Sequence, residues 1–314
     1  MRKVLGGVEG GGTKFKLLLG TDPKDVVDED SFPTTTPEET LERVIEFFRR
    51  PRRNIELVAL GFASFGPIDL HPDSPTYGYV TTTPKPGWRF TDVVTTLRSA
   101  LSVPVGWDTD VTGAALGEYR WGAGRDVQNL VYLTVGTGIG GGILVNGQPI
   151  HGLLHPEMGH LLVPRFHGDM FTGICPFHGG CLEGLASGPA LRARLGRPAE
   201  EAAADDPIWE LEGYYLAAGL HNIAHVLSPQ RIIVGGGVSE VHGLLERVRR
   251  QVTRLNHEYL DNPLFSEGID TYIESPELGA QAGVLGALEL ARGAYQMANG
   301  SLPAPIHGAD SHTC

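Results

Sequence analysis

Three features of the sequence lie within residues 134–183: Thr134-Val-Gly-Thr-Gly-Ile-Gly-Gly-Gly142, Glu157-Met-Gly-His160 and Cys175-Pro-Phe-His-Gly-Gly-Cys-Leu-Glu183. The first is a glycine-rich turn next to an apolar run, and such a turn lets backbone N–H groups approach an anion such as phosphate. The second pairs a carboxylate with an imidazole, and the third combines two thiols with an imidazole. Their order and closeness indicate a chain that binds a phosphate compound and a metal ion.

The glycine turn of residues 134–142 has a counterpart near the N-terminus. Residues 4–19 and residues 130–146 each read as an apolar strand, a glycine-rich turn and a returning strand. In the first copy, Thr13 and Lys14 add a hydroxyl and a cation beside three glycines. A single turn of this kind also fits a plain hairpin. Two such turns facing each other would hold the phosphates of one nucleotide from both sides, so the duplication is more informative than either copy.

The overall composition restricts the classes of partner. The chain has 314 residues and a net charge of −12, which argues against nucleic acid or an anionic membrane as the main partner. No apolar run approaches the roughly 20 residues that span a bilayer, and Glu9 interrupts the first run too early for a signal peptide. Three cysteines are too few for a disulfide framework. We therefore expect a cytoplasmic globular protein of two domains.

The densest group of metal-binding residue types is Cys175, His178 and Cys181. Proline and glycine between them keep the segment out of regular helix, so that it can wrap around an ion. Structural zinc sites usually have four Cys or His ligands. The fourth ligand is expected among the nearby histidines, which are His151, His155, His160 and His167. Such a closed set predicts a structural zinc ion, and a Cys175–Cys181 disulfide is the less favoured alternative in a reducing compartment.

Asp110 is the candidate catalytic residue because of its place between two predicted elements. It follows a predicted strand over residues 103–107 and precedes a predicted helix over residues 111–119. An aspartate at such a junction is either a helix N-cap or a general base beside a substrate pocket. The sequence alone leaves both interpretations open.

Further candidate site residues follow other predicted strands or flank the metal-binding segment. Residues 63–69 form a candidate site wall, because ligands of open α/β sheets gather at the carboxyl ends of strands. Residues 235–237 are a third glycine turn after a strand and are typical of the wall of an adenosine site. Glu157 and Glu183 stand on either side of the metal-binding segment, where each carboxylate could accept hydrogen bonds from sugar hydroxyls.

Together, these motifs resemble the ROK family (repressors, open reading frames and sugar kinases) over nearly the whole chain. Residues 6–14 are similar to the family's first phosphate motif, residues 135–142 to the second, and residues 233–237 to its adenosine motif. Residues 157–160 resemble its E-x-G-H sugar motif, whose histidine also binds zinc. Residues 175–183 resemble its zinc motif, which ends in a glutamate that contacts the sugar.

The resemblance implies an α/β fold, namely the duplicated actin-like ATPase (hexokinase/ribonuclease H-like) fold with two domains around a cleft. The N-terminal α/β domain is expected over residues 1–112 and the larger C-terminal α/β domain over residues 113–298. The last helix, about 279–297, is expected to be able to pack back on the N-terminal domain. Residues 299–314 are expected to form a disordered tail. The resemblance also implies a homodimer.

The resemblance further implies an ATP-dependent hexose kinase that transfers the γ-phosphate of ATP to the 6-hydroxyl of D-fructose, and possible use of mannose, with ATP, Mg²⁺ and Zn²⁺ as cofactors. Asp110 falls where the family's catalytic aspartate lies and would be the general base. The residues implied to bind nucleotide are Glu9, Gly11, Gly12, Thr13, Lys14, Gly136, Thr137, Gly138, Gly140, Gly235, Gly236 and Gly237. Those implied to bind sugar are Gly66, Thr109, Asp110, Glu157, His160 and Glu183. The implied zinc ligands are His160, Cys175, His178 and Cys181.

Three departures from the family pattern favour its bacterial fructokinase branch over the glucokinases. His178 replaces a usual cysteine, Glu9 replaces a common aspartate, and Thr109 replaces the asparagine that precedes the catalytic aspartate. The segments 74–79 and 81–88 also resemble that branch. The alternatives are a glucokinase or an N-acetylhexosamine kinase of the same family. Two further alternatives belong to other classes, a sugar-binding protein without catalytic activity and a repressor.

Overall fold

The computed structural model describes residues 1–241 and 243–300, in two compact units. The first unit comprises Met1–Asp126, Gly142–Pro156 and the C-terminal part from Ala280, and the second comprises Val127–Gly141 and Glu157–Gly279. This division differs from the boundary expected at residue 112. The predicted tail lies outside the described residues from residue 301 onward.

The first unit is built on a five-stranded sheet of order β3-β2-β1-β4-β7. Strands β1, β2 and β3 form an antiparallel meander, whereas β4 and β7 run parallel to β1. A short two-stranded ribbon of β5 and β6 lies outside this sheet. The strands are β1 (Arg2–Gly10), β2 (Lys14–Gly20), β3 (Val26–Pro33), β4 (Ile55–Ser64), β5 (Tyr79–Val80), β6 (Thr91–Asp92) and β7 (Val105–Thr109).

Four helices accompany the sheet of the first unit. They are α1 (Pro37–Arg49), α2 (Val94–Leu101), α3 (Asp110–Trp121) and, after the helices of the second unit, α9 (Ala282–Ala298). Helix α1 begins where the sequence indicates, since Thr36 accepts a hydrogen bond of 3.4 Å from the N–H of Glu39 and Pro37 occupies the first turn. Its apolar face packs into the core of this unit.

Small residues let α9 lie directly on the sheet and on α3. A Cβ atom on Gly286 would overlap the carbonyl oxygen of Gly113 in α3, and one on Gly61 of β4 would overlap that of Ala287. Such backbone-to-backbone approach is available only to residues without bulky side chains. Helix α9 is therefore a central element of the first unit, although it comes last in the sequence.

The second unit contains the parallel strands β8 (Leu130–Val135), β11 (Arg231–Gly235) and β12 (Ile273–Glu274). The complete sheet has the order β10-β9-β8-β11-β12, where β9 is Ile139–Val145 and β10 is Gln148–Pro149. Residues of β9 from Gly142 onward and all of β10 are assigned to the first unit. The helices are α4 (Leu182–Ala186), α5 (Gly188–Leu195), α6 (Ile208–Leu227), α7 (Leu244–Asn256) and α8 (Ile269–Tyr272).

Helix α6 is the central helix of the second unit. Trp209, Tyr215 and Leu220 on it are almost completely buried. Gly213 brings α6 close to α7, since a Cβ atom there would lie 2.9 Å from Cβ of Arg247. Within the described part of the chain, no helix combines the length and apolar character that crossing a membrane requires.

Candidate functional site

Four side chains of the second unit converge into a metal-binding arrangement. The candidate ligand atoms of His160, Cys175, His178 and Cys181 all lie within 4.8 Å of one another. Nδ1 of His160 is 3.5 Å from Sγ of Cys181 and 3.7 Å from Sγ of Cys175, which is also 3.7 Å from Nδ1 of His178. Tetrahedral zinc with the usual bond lengths places sulfur and nitrogen ligands about 3.6 Å apart. The donor set and its spacing therefore fit zinc.

Tight turns bring these ligands together. Cys175 and Gly179 exchange two backbone hydrogen bonds, with Gly179 in the left-handed region at φ 60°. The N–H of Leu182 donates a 2.8 Å hydrogen bond to the carbonyl of Leu161, and this bond places the end of the cysteine segment beside His160. Among the four histidines considered for the fourth ligand, the structure places His160 in the cluster.

The chemistry of Cys181 supports a metal-binding role. Its side chain is completely buried, and this burial raises the pKa of the thiol to about 11. Without a cation the thiol keeps its proton at neutral pH. Zinc binds the thiolate and displaces that proton, so binding releases protons and strengthens as the pH rises.

An ion pair holds the loop that leads into the metal-binding segment. Nη1 and Nη2 of Arg194 each lie 2.9 Å from a different carboxylate oxygen of Asp169, and the hydroxyl of Tyr215 donates a further hydrogen bond to Asp169. The Arg194 guanidinium holds the pKa of Asp169 well below its usual range. This two-point contact fixes the loop on α5 and α6, because a planar guanidinium and a carboxylate match in geometry.

Glu157 and Glu183, the predicted sugar-binding carboxylates, both belong to the second unit. Burial, reinforced by the negative charge of Glu183, raises the pKa of Glu157 above its usual value. Glu183 lies in α4, two residues after Cys181, and its Oε2 accepts a hydrogen bond of 2.9 Å from the N–H of Ile139. Glu183 thus connects the metal-binding segment to the second glycine turn.

The second and third glycine turns border one pocket of about 520 Å³ within the second unit. A Cβ atom on Gly136 would meet nothing within 4 Å, so the backbone of this turn is open to a ligand. Gly236 adopts φ 90°, a conformation that glycine reaches without strain. The lining residues are Gly136, Thr137, Gly188, Pro189, Leu191, Arg192, Pro198, Ala199, Glu200, Trp209, Gly237, Val238 and Val241.

The part of this pocket formed by residues 188–209 has no counterpart among the motifs of the sequence. That segment shows only scattered apolar residues among charged ones and no recognisable motif. Pro198 and Trp209 line the pocket together with Gly136 and Thr137 of the second glycine turn. These residues lie far apart in the sequence, so no local pattern connects them. The mainly apolar lining, next to glycine backbone with open space beside it, suits a flat heterocycle joined to phosphates.

The first glycine turn, between β1 and β2, belongs to the first unit. The N–H of Gly11 donates a 3.0 Å hydrogen bond to the carbonyl of Lys14, and a Cβ atom on Gly12 would meet nothing within 4 Å. Thr13 and Lys14 are exposed. The carboxylate of Glu9 forms a 2.9 Å ion pair with Lys16, a partner that the sequence analysis did not identify.

Asp110 is the first residue of α3, and the preceding residue caps the helix. Oγ1 of Thr109 accepts a hydrogen bond of 3.1 Å from the N–H of Thr112 and donates one of 2.8 Å to the hydroxyl of Thr112. The N-cap is therefore Thr109, and Asp110 remains partly exposed with Oδ1 2.9 Å from the N–H of Val111. The hydroxyl of Thr109, predicted to contact the sugar, is 4% exposed and is used within the helix cap.

Two of the histidines considered for zinc have other partners in the first unit. His151 forms a 2.8 Å ion pair with Asp108. His155 accepts a hydrogen bond of 3.2 Å from the N–H of Ile68 and packs against Gly66, the predicted substrate-binding glycine. The hydrogen bond to Asp108 raises the pKa of His151, whereas burial lowers the pKa of His155.

Comparison with known proteins assigns this chain to a protein family. Residues 5–294 match the ROK family profile. The chain belongs to the ROK family. A fructokinase from Zymomonas mobilis is 47% identical over 295 residues, which cover 92% of this chain and 97% of that protein. A fructokinase from Lactococcus lactis is 44% identical over 273 residues, which cover 86% and 90%.

A solved structure shows the same fold. The ROK family glucokinase from Streptomyces griseus, in complex with glucose and AMPPNP, has a TM-score of 0.71 and 26% identity to this chain, covering 92% of this chain and 99% of that one. This likeness confirms the predicted ROK resemblance and is consistent with the predicted duplicated actin-like fold class.

Proposed function

We propose that this ROK protein is an ATP-dependent fructokinase that phosphorylates the 6-hydroxyl of D-fructose. The observation that carries the choice of sugar is the contrast in similarity. Two relatives named fructokinase are 47% and 44% identical to this chain, whereas the similar glucokinase structure is 26% identical. Identity of this order over nearly whole chains supports a shared substrate.

The nucleotide would be held by the glycine turns. The pocket beside Gly136 and Gly237 offers an apolar surface for the adenine ring, and the glycine backbone there would let phosphates approach closely. The proposed nucleotide residues remain those of the sequence analysis, in the turns at 9–14, 136–140 and 235–237. Support for ATP comes from the AMPPNP named in the complex of the similar glucokinase.

The sugar would be oriented by Glu157, His160 and Glu183, whose acceptor groups are fixed around the metal-binding segment. Asp110 would accept the proton of the attacking hydroxyl. Its placement matters more than its basicity, since phosphoryl transfer depends mainly on positioning and on neutralisation of charge. Its partial exposure at the start of α3 leaves the carboxylate able to meet a substrate hydroxyl.

Two metal ions belong to this proposal. Mg²⁺ bound with ATP supplies neutralisation of the phosphate oxygens, and Glu9 beside the first glycine turn would order its water shell. Zinc, held by the four Cys and His ligands, supplies a structural cross-link that keeps the sugar-binding side chains in place.

We also propose a homodimer in the cytoplasm, a reducing compartment that suits the free thiols of Cys175 and Cys181.

The deciding experiment measures ADP release with Mg-ATP in the presence of fructose, mannose, glucose or N-acetylglucosamine. We expect the highest kcat/KM with fructose. A preference for glucose or the amino sugar would contradict the fructokinase proposal and leave the kinase proposal intact. No ADP release with any sugar, from protein that contains one zinc per chain, would favour a sugar-binding role without catalysis.

A further inference from the structure

Two histidines in residues 151–155, here called the histidine strap, hold the ends of two neighbouring strands of the first unit. His151 Nε2 lies 2.8 Å from Oδ2 of Asp108, at the end of β7. His155 Nε2 accepts a hydrogen bond from the N–H of Ile68, in the loop that follows β4. Because β4 and β7 are parallel neighbours, the strap connects the two strand ends from which candidate site residues project.

Hydrogen bonds lead from His151 to the backbone on both sides of Asp110. Oδ1 of Asp108 accepts a 2.7 Å hydrogen bond from the N–H of Thr109. Thr109 in turn caps α3 through the N–H of Thr112. Asp110 lies between these two fixed points, so a displacement of Asp108 is transmitted to Asp110 through a single intervening residue.

The ion pair of the strap is asymmetric in its burial. The side chain of Asp108 is 3% exposed, whereas that of His151 is 36% exposed. A buried carboxylate that loses its cationic partner keeps the cost of desolvation without the compensating attraction. Such a carboxylate regains solvation by moving toward water, and this movement alters the end of β7.

We propose that His151 is a positioning residue for phosphoryl transfer, which sets the geometry of Asp110 through its ion pair with Asp108, while His155 fixes the neighbouring Gly66–Ile68 loop to the same strap. This inference rests on the proposed function, in which Asp110 is the general base. His151 acts through Asp108 and does not contact the phosphates. Its loss should therefore lower kcat and leave the KM for ATP unchanged.

The charges around the pair determine its dependence on pH. Asp108 faces His151 directly, and the further titratable groups that interact with the pair are His155 in the strap and Tyr77 before β5. Asp108 raises the pKa of His151 above its usual 6.5, against the opposing effect of burial. The charged pair is complete below pH 6.5 and is lost as the pH rises through the raised pKa of His151. The rate should therefore fall on the alkaline side.

The test compares His151→Ala and His151→Gln in the full-length, zinc-containing enzyme, with His71→Gln as a control at an exposed histidine of the same unit. We expect His151→Ala to lower kcat by about 10- to 100-fold, because a small misplacement of a catalytic group has effects of this size. Glutamine can still donate an N–H to Asp108 but carries no charge, so His151→Gln should show, at every pH, the lower kcat that the wild type reaches once His151 is deprotonated. His71→Gln should behave as the wild type.

The pH profile of kcat separates positioning from a merely structural contribution. The wild type and His71→Gln should lose activity as His151 deprotonates, whereas His151→Gln should show no such loss. A kcat of His151→Ala within two-fold of the wild type, or an identical alkaline fall in His151→Gln, would overturn the inference. If His151→Ala does not fold, the profile of His151→Gln decides. A wild type that phosphorylates no sugar contradicts the proposed function instead.

Discussion

Two regions that carry the candidate site residues are fixed in different ways. Residues 157–183 contain little regular secondary structure and converge on four side chains that can share one ion. Asp110 instead lies where a sheet strand meets a helix, and it is held by strand pairing, a helix cap and the ion pair of the neighbouring Asp108 with His151. The geometry of the proposed sugar-binding side chains would therefore depend on a removable ion, whereas the geometry of the proposed base is built into the sheet.

The largest expected effect comes from the region that the sheet holds. Asp110→Asn keeps the size of the side chain and removes its ability to accept a proton, so kcat should fall by about 10²–10⁴-fold. Fructose binding, measured by calorimetry, should change little, because the backbone around Asp110 stays capped by Thr109. Asp73→Asn, at an exposed aspartate of the same unit, is the control. Full turnover by Asp110→Asn would show that another group accepts the proton.

A second experiment removes the cross-link of the other region. Cys181→Ser should lower zinc content below one ion per chain and weaken fructose binding by about 10- to 100-fold, a range typical of damage to a metal site. ATP binding should be affected less, since the pocket beside Gly136 is formed by other elements. Elemental analysis and calorimetry measure these quantities.

The control for that experiment is Cys314→Ser, which changes the third cysteine of the sequence. If zinc-free Cys181→Ser binds fructose with unchanged affinity, residues 157–183 keep their shape without the ion. The proposed difference between this region and the region around Asp110 would then be wrong.

The pH dependence of sugar binding tests the carboxylates beside the metal-binding segment. Burial and the charge of Glu183 raise the pKa of Glu157, so Glu157 takes up a proton at a pH above the usual 4.5. Because the folded state then binds more protons than the unfolded state, the free energy of unfolding rises as the pH falls through this window. The KM for fructose should rise over the same window, since a protonated Glu157 accepts fewer hydrogen bonds.

Glu157→Gln should show a raised KM for fructose at every pH and should lose this acid dependence. Glu267→Gln, an exposed position in the same unit, should keep the wild-type profile. If Glu157→Gln and the wild type share one pH profile, the acid limb belongs to another group.

The smallest expected effect concerns the residue that caps α3. Asparagine is as good an N-cap as threonine, so Thr109→Asn should change the free energy of unfolding by less than about 1 kcal/mol. Thr109 is buried and its hydroxyl is used within the cap, so the KM for fructose should change by less than about three-fold. Steady-state kinetics with fructose and glucose measure this effect. A large shift of preference toward glucose would assign Thr109 a direct part in sugar recognition.

Local pattern was sufficient to predict most elements that carry site residues. Strand β8 (Leu130–Val135) begins where the strand–turn–strand pattern of residues 130–146 begins, and the junction at Asp110 was placed correctly. Strand β3 was missed because its sequence, Val-Val-Asp-Glu-Asp-Ser-Phe-Pro, lacks the regular alternation of a half-buried strand. Helix α2 begins only at Val94, because Thr91 and Asp92 before it pair with β5.

Tertiary contacts account for what the sequence could not predict. Spacing left four histidines available as the fourth ligand, and only the backbone contact between Leu161 and Leu182 places His160 in the cluster. The same holds for the partner of Asp108, since nothing in the sequence connects it to His151. In both cases the contact joins chain segments that are far apart in the sequence, and local periodicity does not predict such contacts.

The position of α9 has a consequence for biosynthesis. The first unit needs this last helix against β1 and β4, where Gly61 allows direct backbone approach. Ribosomes add about 5–20 residues per second, and domains generally fold as they emerge. The face of the N-terminal sheet on which α9 packs therefore lacks this helix until residues 282–298 have been synthesised. Every residue of the second unit is synthesised before then, so the unit that holds the N-terminus is the last to be completed.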